Sequence, residues 1–261
     1  MIYKTDYHVH STFSDGRSAP EDYVTAALAA GLKEIGFSEH FTPFMPPQKW
    51  NMDPANLGRY FEHVGRLKIC NSEVKIRTGL EMDYFPGREE ETRSMISNMP
   101  LDYVIGSIHY QGDVTVDLGP EYYEGKDVDS LYESYFETAF SAVRSGLFDI
   151  IGHCDLIRIY GYKPVSDPEP LYRTLARLMK QYNVAFELNT NGRNRPIADF
   201  YPDRKYLHIF QEEKVPVCVN SDAHMPSRVA QYFDEAYELL RYTGFNEMVV
   251  FENRKRRTVL F

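Results

Sequence analysis

A chain of 261 residues with 43% hydrophobic and 26% charged residues is long enough to bury a large core and too apolar to be a disordered segment. A formal charge of −9 argues against a protein that grips nucleic acid through a broad basic face. Three scattered cysteines without a CxxC pair exclude a disulfide framework, and no stretch approaches the ~20 apolar residues of a membrane-spanning helix, so a reducing, cytoplasmic setting without membrane partners is expected.

Short apolar runs alternate with longer amphipathic segments along the chain, the pattern of repeated βα units around a parallel sheet or barrel. Strands are expected at residues 3–8, 34–37, 75–80, 103–108, 149–152, 185–188 and 216–220, with 248–251 as a possible extra one. A helix over residues 20–30 has Ser18 as its expected cap, Pro20 in its first turn and Gly31 at its end. The stretch "HFTPFMPPQKWNMDP" carries four prolines and the single Trp, so a rigid loop over one end of a barrel is expected there. "GREEETRSMISNM" reads as an exposed acidic helix start.

Two further helices show apolar stripes, one through Leu131, Tyr135, Ala139 and Ala142 or Val143, the other through Leu171, Leu175, Leu178 and Met179. The basic run "NRKRR" near the C-terminus is expected to be a solvated helix or tail. Cys70, Cys154 and Cys218 are each expected to be small buried apolar residues. Without a linker, low-complexity tract or exact repeat, residues 1–261 are expected to form one domain.

The informative pattern is where histidines and carboxylates fall. His8 and His10 end the first strand, where alternation sends i and i+2 to one face. His40 ends the second in "GFSEH", Glu81 the third in "TGLEMDY" and His109 the fourth in "VIGSIHY". His153 follows the fifth in "DIIGHCD", and Asp222 with His224 follows the seventh in "VCVNSDAH". A lone histidine at a strand end is usually a satisfied polar residue, but this many at successive strand ends would bury unpaired polar groups unless a cation holds them. His63 and His208 fall within helical segments and are read as structural.

Taken in order, "DYHVHSTFSDG", "GFSEH", "GLEMDY", "GSIHY", "IGHCD" and "NSDAH" resemble the motifs of the polymerase and histidinol phosphatase (PHP) superfamily. The resemblance implies an α/β fold, a distorted (β/α)7 barrel, with three divalent metal ions (zinc, iron or manganese) at the C-terminal mouth of the strands. Carried onto this sequence, one metal is held by His8, His10, Glu81 and Asp222, a second by Glu81, His109 and His153, and a third by His40, His224 and Asp15. Many superfamily members have a histidine where Asp15 stands; "SDG" is also a common turn sequence.

Clustered divalent cations acidify water and clamp phosphate oxygens, so hydrolysis of a phosphate monoester is the chemistry such a site suits. Arg158 and Arg195, which follow ligand-bearing strands, are expected to bind the phosphate, with Asp15 and Arg158 taking part in catalysis. A stand-alone chain of this length is similar to the monofunctional histidinol-phosphate phosphatases of the superfamily, which implies a small-molecule phosphate ester as substrate and no nucleic-acid partner. The rings of Phe41, Phe44 and Trp50 and the carboxylate of Asp83 are candidates to receive an imidazole and a protonated amine. The alternatives are a phosphoesterase acting on nucleotides or nucleic-acid ends and a non-catalytic metal-binding module. Oligomeric state is left open.

Overall fold

The computed structural model describes residues 2–46 and 48–261, so Pro47 of the proline-rich loop lies outside the described residues. Seven parallel strands form one sheet whose spatial order follows the chain: β1 (Thr5–Asp6), β2 (Glu34–His40), β3 (Lys75–Asp83), β4 (Tyr103–Ser107), β5 (Ile150–Ile151), β6 (Ala185–Asn189) and β7 (Val217–Asn220). Each expected strand is present. β2 and β3 run further than their apolar residues indicate, because polar residues continue the interior face towards the mouth.

The two edges of the sheet meet beyond a regular ladder. Val9 bridges Ala223, His10 N donates to Ala223 O at 3.0 Å, and Ala223 N donates to His8 O at 3.1 Å. Asn220 Oδ1 accepts from Tyr7 N at 2.8 Å, a side chain standing in for the main chain. The sheet is thereby closed into the expected distorted (β/α)7 barrel.

Alternation along the strands sorts the interior into levels. Tyr7, Tyr103, Ile105, Ile150, Ala185 and Cys218 form a fully buried cluster within the barrel. Tyr103 fills its centre: its hydroxyl donates to Tyr7 O at 2.6 Å and Phe37 O at 3.1 Å. Gly36 and Gly79 leave the room for this ring, since a Cβ on either would come within 2.3 Å of it.

The lower end of the barrel is sealed by an antiparallel hairpin, β8 (Glu247–Glu252) and β9 (Lys255–Leu260), which adds Val249, Val250 and Phe251 to the interior cluster. Asn253 and Arg254, with φ of 51° and 59°, make the left-handed two-residue turn that matches strand twist. The basic run at 253–257 is therefore the turn and first half of a strand, correcting the expectation of a solvated helix or tail. Its arginines are tied down: Arg254 pairs with Asp149 and Arg257 reaches Glu34 at 2.9 Å.

Outside the sheet lie α1 (Pro20–Ala29), α2 (Leu57–Cys70), α3 (Glu89–Ile96), α4 (Val128–Arg144), α5 (Glu169–Tyr182), α6 (Leu207–Glu212) and α7 (Phe233–Thr243). Pro20 opens α1 as expected, but Ala19 occupies the cap position and Ser18 makes no cap, its carbonyl accepting from Thr12 N instead. The buried stripes of α4 and α5 are rotated towards the aromatic residues Tyr132, Phe136, Phe140 and Tyr172, leaving Leu131, Leu171 and Leu178 only half-buried. A tyrosine can be buried there because its hydroxyl finds a partner, as Tyr172 does on Asp155 at 2.6 Å. Cys154 and Cys218 are buried as expected; Cys70, at the end of α2, is exposed. No helix among the described residues is long and apolar enough to cross a membrane.

Candidate metal centre

The mouth of the barrel gathers the histidines and carboxylates read from the sequence. On β2 the interior residues are Glu34, Gly36, Ser38 and His40, and on β3 they are Arg77, Gly79, Glu81 and Asp83. Parallel register sets His40 beside Glu81. Their side chains meet, His40 Nδ1 lying 2.7 Å from Glu81 Oε2.

Glu81 is the hub. Its Oε2 also lies 3.1 Å from His8 Nε2 and 3.5 Å from His10 Nε2, while its Oε1 lies 2.9 Å from His153 Nε2 and 3.7 Å from His109 Nε2. His10 stacks between His40 and His224, with ring centroids 4.1 Å and 4.3 Å away. Asp15 faces the same two histidines, its Oδ1 3.7 Å from His40 Nε2 and 3.4 Å from His224 Nε2. Asp222 Oδ1 approaches His10 Nε2 at 3.6 Å and His224 Nδ1 at 3.4 Å.

Ligand atoms fall into overlapping sets close enough to share an ion: His8, His10 and Asp222; His8, Glu81 and His153; His40, Glu81 and His109; and His10, Asp15, His40 and His224. His10 thus stands nearer the Asp15 group than the sequence suggested. The donor set, imidazoles and carboxylates, suits zinc, iron or manganese. The fit is supported by buried atoms that find no hydrogen-bond partner among the described residues, including His8 Nε2, both ring nitrogens of His10, Asp15 Oδ1 and Glu81 Oε2. Such orphaned polar atoms are rare in native proteins and here share one space.

Electrostatics at the mouth follow from this crowding. Burial opposes charge on His8, yet Glu187, Glu81 and Asp222 raise its pKa well above the usual value. Burial likewise opposes the charge of His109, and Asp83 with Glu81 takes it up to about 10. His10, buried and flanked by His40 and His224, is pushed down to about 3. Burial opposes ionisation of Glu81, but His8, His40 and His109 hold its carboxyl well below the normal range. The carboxylates draw positive charge to the mouth, and a divalent cation is the other way to supply it.

Several supporting residues escaped the sequence reading. Glu187, fully buried on β6, holds His8 Nδ1 at 2.7 Å and accepts from His153 N at 3.2 Å. Ser107 Oγ donates to Glu81 Oε1 at 2.6 Å, and Asn191 Nδ2 donates to Asp222 Oδ2 at 3.2 Å. These contacts aim the inner groups at the centre. The signal available for Glu187 is a carboxylate on an otherwise apolar strand, "AFELN". His153 and Asp222 also have positive φ, 25° and 50°, a strained backbone for residues with side chains.

Asp83 is not an amine receptor facing the mouth. It is buried behind His109, 3.0 Å from its Nδ1, and accepts from Thr42 Oγ1 at 3.0 Å. Of the three rings nominated, only Trp50 lines the pocket, edge-on to His40 at 5.1 Å. Phe41 is buried in the core, and Phe44 packs on Phe85 beneath Arg88. His63 and His208 lie outside the site, bonded to Glu21 and to Lys205 O.

The two candidate arginines part company. Arg195 lines the cavity of about 220 Å³ above the ligands. Arg158 does not, which corrects its expected role as a phosphate clamp. Its terminal nitrogens are taken by Asp155 at 3.0 Å, Asp199 at 3.2 Å, Asp203 at 3.1 Å and Phe200 O at 3.2 Å. A larger cleft of about 600 Å³ lies on that side of Arg158, but it contains none of the candidate ligands and so is not the reactive site.

Comparison with known proteins agrees with this geometry. The chain is 34% identical to a protein of Deinococcus radiodurans described as a probable histidinol-phosphatase, over 96% of this chain and 97% of that one. It is 29% identical to the histidinol-phosphatase of Lactococcus lactis, covering 97% and 96% of the two chains. The crystal structure of histidinol phosphate phosphatase from Lactococcus lactis, complexed with zinc, L-histidinol and phosphate, superposes with a TM-score of 0.87 at 27% identity, covering 98% of this chain and all of that one. Residues 6–191 match the PHP domain, and with this mouth of imidazoles and carboxylates the chain belongs to the PHP domain family.

Proposed function

We propose that this chain is a metal-dependent phosphomonoesterase that hydrolyses L-histidinol phosphate to L-histidinol and inorganic phosphate in histidine biosynthesis. The observation that carries the reading is the convergence of His8, His10, Asp15, His40, Glu81, His109, His153, Asp222 and His224, with orphaned ligand atoms among them. The likeness to the Lactococcus lactis enzyme, solved with zinc, L-histidinol and phosphate, supports the choice of substrate. The whole chain, residues 1–261, acts as one unit in this reading, since Asp222 and His224 lie beyond the matched 6–191 yet face the same space.

In this reading three divalent cations, zinc, iron or manganese, occupy the mouth. His8, His10, Glu81 and Asp222 hold one; Glu81, His109 and His153 a second; His40, His224 and Asp15 the third, with Glu81 shared. When bound, such cations supply Lewis-acid charge to phosphate oxygens and acidify water near neutral pH. The protein's own groups do the rest. Glu187 and Asp83 fix the ring orientation of His8 and His109, Asp15 completes the exposed edge of the site, and Arg195 takes a phosphate oxygen from the open side. Arg158 ties Asp155, Asp199 and Asp203 together away from the candidate ligands.

Phosphate release from L-histidinol phosphate, compared with nucleoside monophosphates and single-stranded DNA, tests this. Histidinol phosphate is expected to be turned over far faster than either, chelation to abolish turnover, and added zinc or manganese to restore it. Full activity in protein shown by elemental analysis to be metal-free would overturn the reading.

A further inference from the structure

Once the candidate ligands are set aside, the pocket lining separates into an apolar part, chiefly Trp50, Leu118, Leu156 and Ile159, and two charged side chains, Asp117 and Arg195. Neither the Asp117 carboxylate nor the Arg195 guanidinium takes part in an ion pair or side-chain hydrogen bond among the described residues; the contact recorded at Asp117 is to its main-chain oxygen. For Asp117, which is part-buried, that is unusual, since part-buried carboxylates such as Asp149, Asp199 and Asp203 are paired; Arg195 is exposed and reaches the pocket from its open side.

Asp117 is also held in place rather than loose. It follows the short hairpin of Tyr110–Gln111 with Val114–Thr115, whose far side is anchored by Val116 N donating to His109 O at 2.9 Å. Tyr160 OH donates to Asp117 O at 2.5 Å, and Tyr123 OH donates to Val116 O at 3.2 Å. The cavity holds Asp15 and Asp222 together with His40, His109, His153 and His224, yet among the described residues no side chain hydrogen-bonds the Asp117 carboxylate, which is left open to accept from a cationic donor on a ligand. It is not in any of the sets of atoms near enough to share a metal.

We propose that Asp117 determines specificity by pairing with a protonated amine on the substrate, so that the pocket selects phosphate esters of amino alcohols. This deepens the phosphatase reading and rests on it for the position of the phosphate. Arg195 and the metal positions take the anionic end, Asp117 takes the ammonium, and the apolar wall of Trp50, Leu118, Leu156 and Ile159 receives a flat ring. A ligand with these three parts matches the pocket's charges; an ester without the amine leaves Asp117 buried and unpaired.

Binding and turnover test the assignment separately on the metal-loaded protein. By titration calorimetry, wild type is expected to bind L-histidinol about tenfold or more tighter than its deaminated counterpart, imidazolyl-propanol, the usual scale of a charge-assisted hydrogen bond. Asp117→Asn is expected to erase that difference with metal content unchanged, and Asp117→Glu to keep part of it. A wild-type ratio near one, an undiminished ratio in Asp117→Asn, or loss of metal from that variant would each overturn the proposal. Turnover of histidinol phosphate reports on the phosphatase reading alone: a preserved binding contrast without turnover supports Asp117 and sinks the phosphatase.

Discussion

The floor and the mouth of the barrel both bury charged side chains, and they treat them oppositely. At the floor the fully buried Glu34 accepts from Tyr3 OH at 2.7 Å, Tyr7 OH at 2.9 Å, Arg77 Nε at 2.7 Å and Arg257 at 2.9 Å. Its valence is closed within the chain. At the mouth, at the other end of the same β2–β3 pair, Glu81 reaches imidazoles on several strands, yet its Oε2 and the ring atoms facing it lack hydrogen bonds of good geometry. Burying polar groups is costly in both places. The floor offsets that cost internally and is structural; the mouth leaves it open, which is the signature of a site completed by a ligand.

The contrast can be broken from either end. The largest effect is expected at the hub: Glu81→Ala should lower kcat/KM for histidinol phosphate by about 10³-fold or more, on the scale of losing a principal electrostatic group, and elemental analysis should find metal lost. An unchanged metal content would remove Glu81 from the shared position. At the floor, Arg77→Met should cost about 3 kcal/mol of stability by leaving Glu34 short of its partner, read from urea denaturation, while the folded fraction keeps its metal. If metal content fell in step with stability, the two ends would not be separable as argued. The smallest effect is expected one contact back from the metal positions: Glu187→Gln should weaken metal affinity by roughly 10–100-fold by loosening His8, with little change in melting temperature of the loaded protein. Equal affinity in the variant would make Glu187 a packing residue.

What the sequence made legible is tied to periodicity. Parallel register sets His40 beside Glu81, His109 follows two residues past the end of β4, and the order of motifs along the chain is the order of strands around the barrel. Where regular alternation stops, inference weakens. Tyr7 and His8 are adjacent, yet both enter the barrel, because the regular strand ends at Asp6 and the chain slips by one residue before His8 and His10. Arg158 lies in a short helical turn, Leu156–Arg158, where a long side chain's direction is decided by which acids surround it, here Asp155, Asp199 and Asp203, two of them some 40 residues away in sequence. The same holds for Asp83, which periodicity puts on the inner face but packing hides behind His109. Positive φ at His153 and Asp222 is only weakly signalled, since Asp and His adopt it more readily than most residues but far less than glycine.

The ring of Tyr103 seated over Gly36 and Gly79 ties three positions into one evolutionary unit. An alanine at either glycine collides with the phenol, 2.3 Å away, and shortening Tyr103 alone opens a void while stripping the carbonyls of Tyr7 and Phe37 of their shared donor. Each single step is harmful where a joint exchange of bulk is tolerable, so these sites should show strong epistasis and change together or not at all. The filling of the barrel is in that sense inherited as a block, leaving the loops around the pocket as the part free to vary with substrate.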